Sequence, residues 1–279
     1  MRLALAELEE RAAAVRRRVL EMALAAGKGH VPPAFSWVEI GVALFHGGLL
    51  RLRPDEPAWP DRDRFILSKG HGCLTLYALL AERGFLPAAE LATFVADGSR
   101  LAGHPDPAIP GVEVVSGSLG HGLGLAAGLA LGARADGAGW AAVTLLGDGE
   151  CQEGSIWEAA AFASHHRLGR LTAIVDRNRL GATEYTERSV ALEPFADRWS
   201  ALGWDVRPVA GHDLGAVLEA CADLRRAPAG APRVVVAETV KGRGVGFMEA
   251  SPAWHHRLPK GAEVAAARAA LAGSGRAGA

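Results

Sequence analysis

Val143-Thr144-Leu145-Leu146-Gly147-Asp148-Gly149 and, one helix further on, Ala173-Ile174-Val175-Asp176-Arg177-Asn178 decide the fold. Each begins as a short apolar run of the kind that forms a buried strand. Between them Glu153 to His166 reads as a helix. A right-handed strand–helix–strand unit brings both strand ends to one edge of a sheet, the edge at which open α/β sheets bind ligands. The Asp148 carboxylate and the Asn178 amide oxygen, with a backbone carbonyl nearby, make half an oxygen shell for Mg²⁺ or Ca²⁺. Water and the oxygens of a bound diphosphate would complete it. Gly147 and Gly149 let the backbone approach the phosphates closely. The same Gly-Asp-Gly also makes ordinary turns, with Asp148 as a strand-end cap and Asn178 as a turn residue, so the pair needs support from the rest of the chain.

That support is a series of motifs in order. Gly147-Asp148-Gly149-Glu150-Cys151-Gln152-Glu153-Gly154 resembles the GDGxxQEG form of transketolases, and Asp63-Arg64-Phe65-Ile66-Leu67-Ser68-Lys69-Gly70-His71-Gly72 is similar to their DRFxLSxGH segment. Gly103-His104-Pro105 is similar to their GHP, and Gly117-Ser118-Leu119-Gly120-His121-Gly122 to GPLGQG, with His121 departing from the usual Gln. His30 stands where the family carries a substrate-facing His, and Lys241-Gly242-Arg243-Gly244 and Trp254-His255 are similar to the closing segment of the domain. The chain thus resembles the N-terminal, diphosphate-binding subunit of a split, two-component transketolase. The resemblance implies a thiamine-diphosphate-binding α/β fold, a mostly parallel sheet with helices on both faces. It implies a diphosphate-binding domain over 1–271; residues 272–279, Gly, Ala and Ser with one Arg, read from composition as a disordered tail.

Composition agrees. Some 49% of residues are apolar and the formal net charge is −1, so a large core is available and no basic block suggests nucleic acid. Cys73, Cys151 and Cys221 are far apart and form no Cys-x-x-Cys, which fits a reducing cytoplasm better than a disulfide framework or zinc site. The N-terminus is rich in Arg and Glu and has no signal-peptide core. Val114 to Ala133 is free of Asp, Glu, Lys and Arg, and Gly120, Gly124, Gly128 and Gly132 recur every fourth residue. A membrane helix is set aside because Gly and Ala partition weakly. The favoured reading is a buried helix, entered through Ser116-Gly117-Ser118, whose bare ridge lets another backbone come close.

Elsewhere, Leu5, Leu8, Ala12, Val15, Val19, Met22 and Ala26 predict an amphipathic helix stopped by Gly27 and Gly29. Ser36-x-x-Glu39 predicts a capping box opening a second helix. Pro87 and Gly98 bracket a short one. Trp204 to Val209 and Val234 to Glu238 read as strands with a helix over Asp213 to Arg226 between them. Such alternation argues for a parallel sheet.

The resemblance assigns roles. Asp148, Asn178 and the Leu180 carbonyl become metal ligands for Mg²⁺ or Ca²⁺. His71 and His255, the backbone of Gly147, Gly149 and Glu150, Asn178, and Lys241 become cofactor contacts. Lys241 could equally be a solvated loop residue. Gly117 and Leu119 would lie against the aminopyrimidine and thiazolium rings. His30 and His104, with His255, become substrate and proton-relay residues, a task imidazole suits because it titrates near neutral pH. Plain structural hydrogen bonding is the alternative. Glu153, with Glu158 on the same helix, would sit at a dimer interface connecting two active sites, sharing a proton if buried together. Arg100 could reach a substrate phosphate but reads more simply as a surface residue.

By the same resemblance the chain is half an enzyme. The pyrimidine domain would belong to a partner chain, the C-terminal subunit, in an α₂β₂ assembly, and the start and tail favour a complete subunit. The expected reaction moves a two-carbon ketol unit from a ketose or ketose phosphate to an aldose. Another thiamine-diphosphate activity (2-oxo acid decarboxylating or deoxyxylulose-phosphate-like) is one alternative. A non-catalytic interaction subunit is the other, and intact Asp148, Asn178, His71 and Glu153 argue against it.

Overall fold

Side chains alternate along a strand, and here alternate residues enter two separate cores. Phe65, Val143, Leu145, Ile174, Val235 and Ala237 join one apolar cluster. Ile66, Leu146, Ala173, Val175, Val234 and Val236 join the other. The structure, a computed structural model describing residues 3–227 and 229–273, therefore carries a sheet buried on both faces, as parallel sheets require. Its strands are β1 (Arg64–Leu67), β2 (Ala142–Gly147), β3 (Leu171–Arg177), β4 (Asp205–Ala210) and β5 (Arg233–Glu238). They lie in the order β1-β2-β3-β5-β4, every neighbouring pair parallel. Gly147 is in register with Asp176, and Asp176 with Ala237, so the carboxyl ends of the three central strands finish level.

Among the described residues the helices, in chain order, are α1 (Leu5–Ala26), α2 (Val31–Phe35), α3 (Val38–Phe45), α4 (Cys73–Arg83), α5 (Gly122–Ala135), α6 (Gly154–His165), α7 (Thr186–Ser189), α8 (Phe195–Ala201), α9 (Leu214–Ala220) and α10 (Ala262–Gly273). Residues of α1, α3, α4 and α9 fill the first core and residues of α5, α6 and α8 the second. α1 buries the expected stripe of Leu8, Ala12, Val15, Val19 and Met22. It ends at Gly27, whose left-handed φ of +65° turns its N–H back to the Leu24 carbonyl. Gly29, at φ +133°, completes the turn and sets His30 at the head of α2.

Several expectations need correction. Ser36 caps nothing: α3 begins at Val38, the Ser36 hydroxyl bonds Asp176 and the Pro33 carbonyl, and Glu39 turns to Arg16 and His212. Ala88 to Thr93 is a short 3-10 helix that stops well before Gly98. α6 starts at Gly154, leaving Glu153 at its N-cap in extended conformation. α9 ends at Ala220. α5 starts at Gly122, so Ser116-Gly117-Ser118 belongs to the preceding loop. α5 buries Leu123, Ala126, Ala127, Ala130 and Ala133, whereas Gly124, Gly128 and Gly132 face outward; no backbone among the described residues packs on them. α10 continues to Gly273, and the rest of the tail expected from 272 lies outside the described residues.

Candidate active site

Four loops leave the carboxyl ends of β1, β2, β3 and β5, and a buried polar frame ties them together. Asp176, on β3, is fully buried and accepts from Lys69 beyond β1, Ser36 beyond α2 and Thr239 beyond β5. Burial alone would raise its pKa, but the Lys69 ammonium and the two hydroxyls hold it below the usual carboxylate range. Glu150, just beyond β2, is the second brace. Its carboxylate accepts from the Ser68 hydroxyl and from the Gly120 and Gly147 N–H groups. A third network supports the loop after β5. Arg16 pairs with Glu39, Glu39 accepts from His212 Nδ1 at 2.9 Å, and His212 Nε2 accepts from the Val240 N–H at 2.8 Å. The accepting Nε2 places the ring proton on Nδ1.

These loops enclose a cavity of about 420 Å³. At one end stand oxygen donors. Asp148 is 1% exposed; its Oδ1 accepts from the Gly149 N–H at 2.8 Å and its Oδ2 from the Arg179 N–H and, at 3.1 Å, from Arg177 Nη1. Burial and the charge of Asp176 push its pKa up to about 6 against the pull of Arg177. Asn178 Oδ1 accepts from the Leu180 N–H. The carbonyls of Leu180 and Gly181 accept from Lys241 Nζ at 3.4 and 2.7 Å. Lys241 is 2% exposed, which excludes the solvated-loop reading, and burial followed by the charge of Lys69 pulls its pKa down to about 7. The Gly149 N–H, expected to face phosphate, is turned to the Asp148 carboxylate instead.

At the other end stand imidazoles. Ring centroids of His256, His255, His71 and His104 lie 4.6, 5.3, 5.6 and 6.5 Å from that of His30. Burial, then the neighbouring cationic groups, pull His30 down to about 4 and His255 to about 3. Burial and Lys69 hold His71 well below the ordinary value, and burial lowers His104. His30 and His255 are therefore held as neutral bases near pH 7, contrary to the sequence-based expectation that imidazole titrates there.

The cavity is lined by Asp148, Asn178, Leu180, Lys241, His71, His255, Gly117, Leu119, Gly147, Gly149, Glu150 and Glu153, nearly the whole expected set. His30 and His104 stand beyond His71 and His255, outside the lining itself. Gly117 needs its φ of +141° and its bareness, since a Cβ there would meet the His104 ring at 3.1 Å. Glu153 and Glu158 are exposed on this chain. Arg100 is held by Glu90. Sequence reasoning passed over Lys69, Gln152, Arg177 and His256. Lys69 lay inside a quoted motif, and His256 next to one. Arg177 carried no signal, because its partners are distant in sequence.

Among the described residues no group of three or more His, Cys, Asp or Glu side chains could hold a metal by itself. A carboxylate, an amide oxygen and carbonyl oxygens suit a hard cation that takes its remaining oxygens from a ligand. The Lys241 amino group already sits on the Leu180 and Gly181 carbonyls, and the buried Nδ1 of His255, at the cavity wall, has no partner. The residues present fit a divalent cation and an anionic ligand.

A parallel sheet with oxygen ligands and imidazoles gathered at its carboxyl edge is the architecture of a diphosphate-cofactor domain. The family model described as "Transketolase, thiamine diphosphate binding domain" matches residues 9–275, and the chain belongs to that family. It is 40% identical over 260 residues to an apulose-4-phosphate transketolase subunit of Actinobacillus succinogenes, covering 92% of this chain and 93% of the relative. It is 39% identical over 251 residues to a 6-deoxy-6-sulfo-D-fructose transketolase subunit of a Clostridium species, covering 90% of each. Among solved structures, the transketolase of Campylobacter jejuni superposes with TM-score 0.89 at 27% identity, over 97% of this chain and 43% of that one. The chain thus spans less than half of that solved transketolase and nearly all of the separate subunits.

Proposed function

We propose that this chain is the diphosphate-binding half of a two-subunit transketolase, transferring a two-carbon ketol unit from a ketose or ketose phosphate to an aldose. One observation carries the reading: oxygen ligands for a hard cation share one cavity with His71 and His255 at the carboxyl ends of β1, β2, β3 and β5, and the His30 ring packs against both imidazoles. Asp148, Asn178 and the Leu180 carbonyl would hold Mg²⁺ (or Ca²⁺), and His71, His255 and Lys241 would donate to the diphosphate. Thiamine diphosphate, when bound, supplies the carbanion chemistry. Gly117 and Leu119 line its ring end. His30 and His104 would accept protons from substrate hydroxyls and return them. His255 shares this work.

The relatives' designation as subunits supports a partner chain carrying the pyrimidine domain, in an α₂β₂ assembly with Glu153 and Glu158 at the interface. Three free, buried cysteines fit a cytoplasmic enzyme, and no helix among the described residues is long and apolar enough to cross a membrane.

The test is calorimetric titration of thiamine diphosphate with Mg²⁺ into the chain alone and mixed with the polypeptide encoded beside it, followed by an assay of two-carbon transfer. Binding and transfer in the mixture support the reading. A folded mixture that binds neither cofactor nor metal overturns it.

A further inference from the structure

Arg177 ends β3 beside the oxygen-donor corner and is 1% exposed. A lone arginine is seldom buried so completely without partners, and this one bridges two groups of them. Inward, Nη1 donates to Asp148 Oδ2 at 3.1 Å and to Thr186 Oγ1 at 3.2 Å. Outward, Nη2 donates to Glu187 at 3.1 Å and Glu193 at 2.8 Å, and the guanidinium lies 4.9 Å over the Phe195 ring. Glu187 accepts from the Leu192 and Glu193 N–H groups, and Glu193 from that of Phe195. The segment 184–195 is thus folded around Arg177, and its Glu184 and Ser189 line the cavity.

The charge balance matters as much as the geometry. A guanidinium paired with Asp148 alone would neutralise the one carboxylate at a cation site. Paired also with Glu187 and Glu193, its charge is balanced from outside, and Asp148 keeps negative charge to offer. Because Arg177 and the Arg179 N–H occupy Oδ2, Oδ1 is left with a single donor, the Gly149 N–H.

We propose that Arg177 is a positioning residue: it fixes the rotamer and charge of Asp148 for cation binding, and through Glu187 and Glu193 couples an occupied cation site to the order of the 184–195 rim. The inference rests on Asp148 being a cation ligand. Removal of such an outer partner typically weakens metal affinity about 10–100-fold.

The experiment measures Mg²⁺ affinity in the presence of thiamine diphosphate by calorimetry, on the chain with its partner polypeptide, for wild type, D148N, R177M and the double variant E187Q/E193Q. Hydrogen exchange of residues 184–195, with and without Mg²⁺, is followed alongside. Loss of binding in D148N tests the ligand assignment itself. The expected result is affinity weakened at least about tenfold in R177M and in E187Q/E193Q, with Mg²⁺-dependent protection of 184–195 lost in both. E187Q/E193Q alters only the solvent side, so it decides the matter if R177M does not fold. Unchanged or tighter binding in E187Q/E193Q, with D148N still impaired, overturns the coupling. So does protection that persists without these groups.

Discussion

At the scale of single residues, the imidazoles around His30 set a pH dependence whose sign can be worked out. His30 and His255 titrate near 4 and 3 in the folded chain, whereas an unfolded imidazole titrates near about 6.5. Above about pH 6.5 both states are neutral and these groups contribute nothing. Below it the unfolded chain binds protons that the folded chain refuses, so stability falls with pH until the folded values are reached. Urea midpoints are therefore expected to drop between about pH 7 and about pH 5, and H255Q should flatten the slope. A slope unaltered by H255Q would mean that other groups govern it. The buried Lys69–Asp176 pair gives a second expectation. K69M leaves a fully buried carboxylate without its counter-charge, which costs roughly 3–5 kcal/mol. D176N with K69M should recover part of that loss in the same denaturation assay. Neither residue was legible as a pair in the sequence, because Lys69 and Asp176 meet only when β1 and β3 lie in one sheet.

At the scale of elements, the strands were readable, as were the entries to α1 and α9, but those to α3 and α5 were not. The apolar runs before Gly147 and Asn178 became β2 and β3 because a sheet covered on both faces needs continuous apolar strands. Ser36-x-x-Glu39 misled because both side chains have stronger long-range partners, Asp176 and Arg16, which override a local cap. The entry to α5 was placed too early for a related reason. Gly120 adopts φ +87° and its N–H goes to Glu150, so the chain turns before coiling at Gly122. Gly122 itself packs on β1's end: a Cβ there would meet the Ser68 side chain and lie 2.9 Å from its Cα. G122A is expected to cost about 1–3 kcal/mol through overpacking and to loosen the Ser68–Glu150 brace. G132A on the same helix meets nothing within 4 Å and should stabilise the isolated chain by about 0.5–1 kcal/mol, since Gly in a helix interior is unfavourable. Chemical denaturation of the pair separates close packing from helix propensity; equal effects would refute this account of α5.

At the scale of the whole molecule, the same glycines raise a different question. Their spacing was legible as a ridge, but the sequence could not say which side faced inward, and the apolar positions between them settled that in the fold. Leu123, Ala126, Ala127 and Ala130 pack on the sheet, so Gly124, Gly128 and Gly132 look outward. A Cβ at Gly124 would lie 3.9 Å from the Ala159 Cβ of α6, which puts this end of the ridge beside α6. Leu125 and Phe162 are 44% and 41% exposed on these two helices, and Val115 is 65% exposed in the loop before them. A bare ridge flanked by exposed apolar side chains is suited to close approach by another chain, in keeping with a partner subunit. A large side chain on the ridge separates folding from pairing, because among the described residues nothing outside the helix's own backbone stands within 4 Å of a Cβ at Gly128. G128L is therefore expected to raise the melting of the isolated chain slightly, as helix propensity requires, while abolishing co-elution with the partner polypeptide, and with it two-carbon transfer. Co-elution at wild-type strength would show that the partner docks elsewhere and that the outward glycines serve no interface.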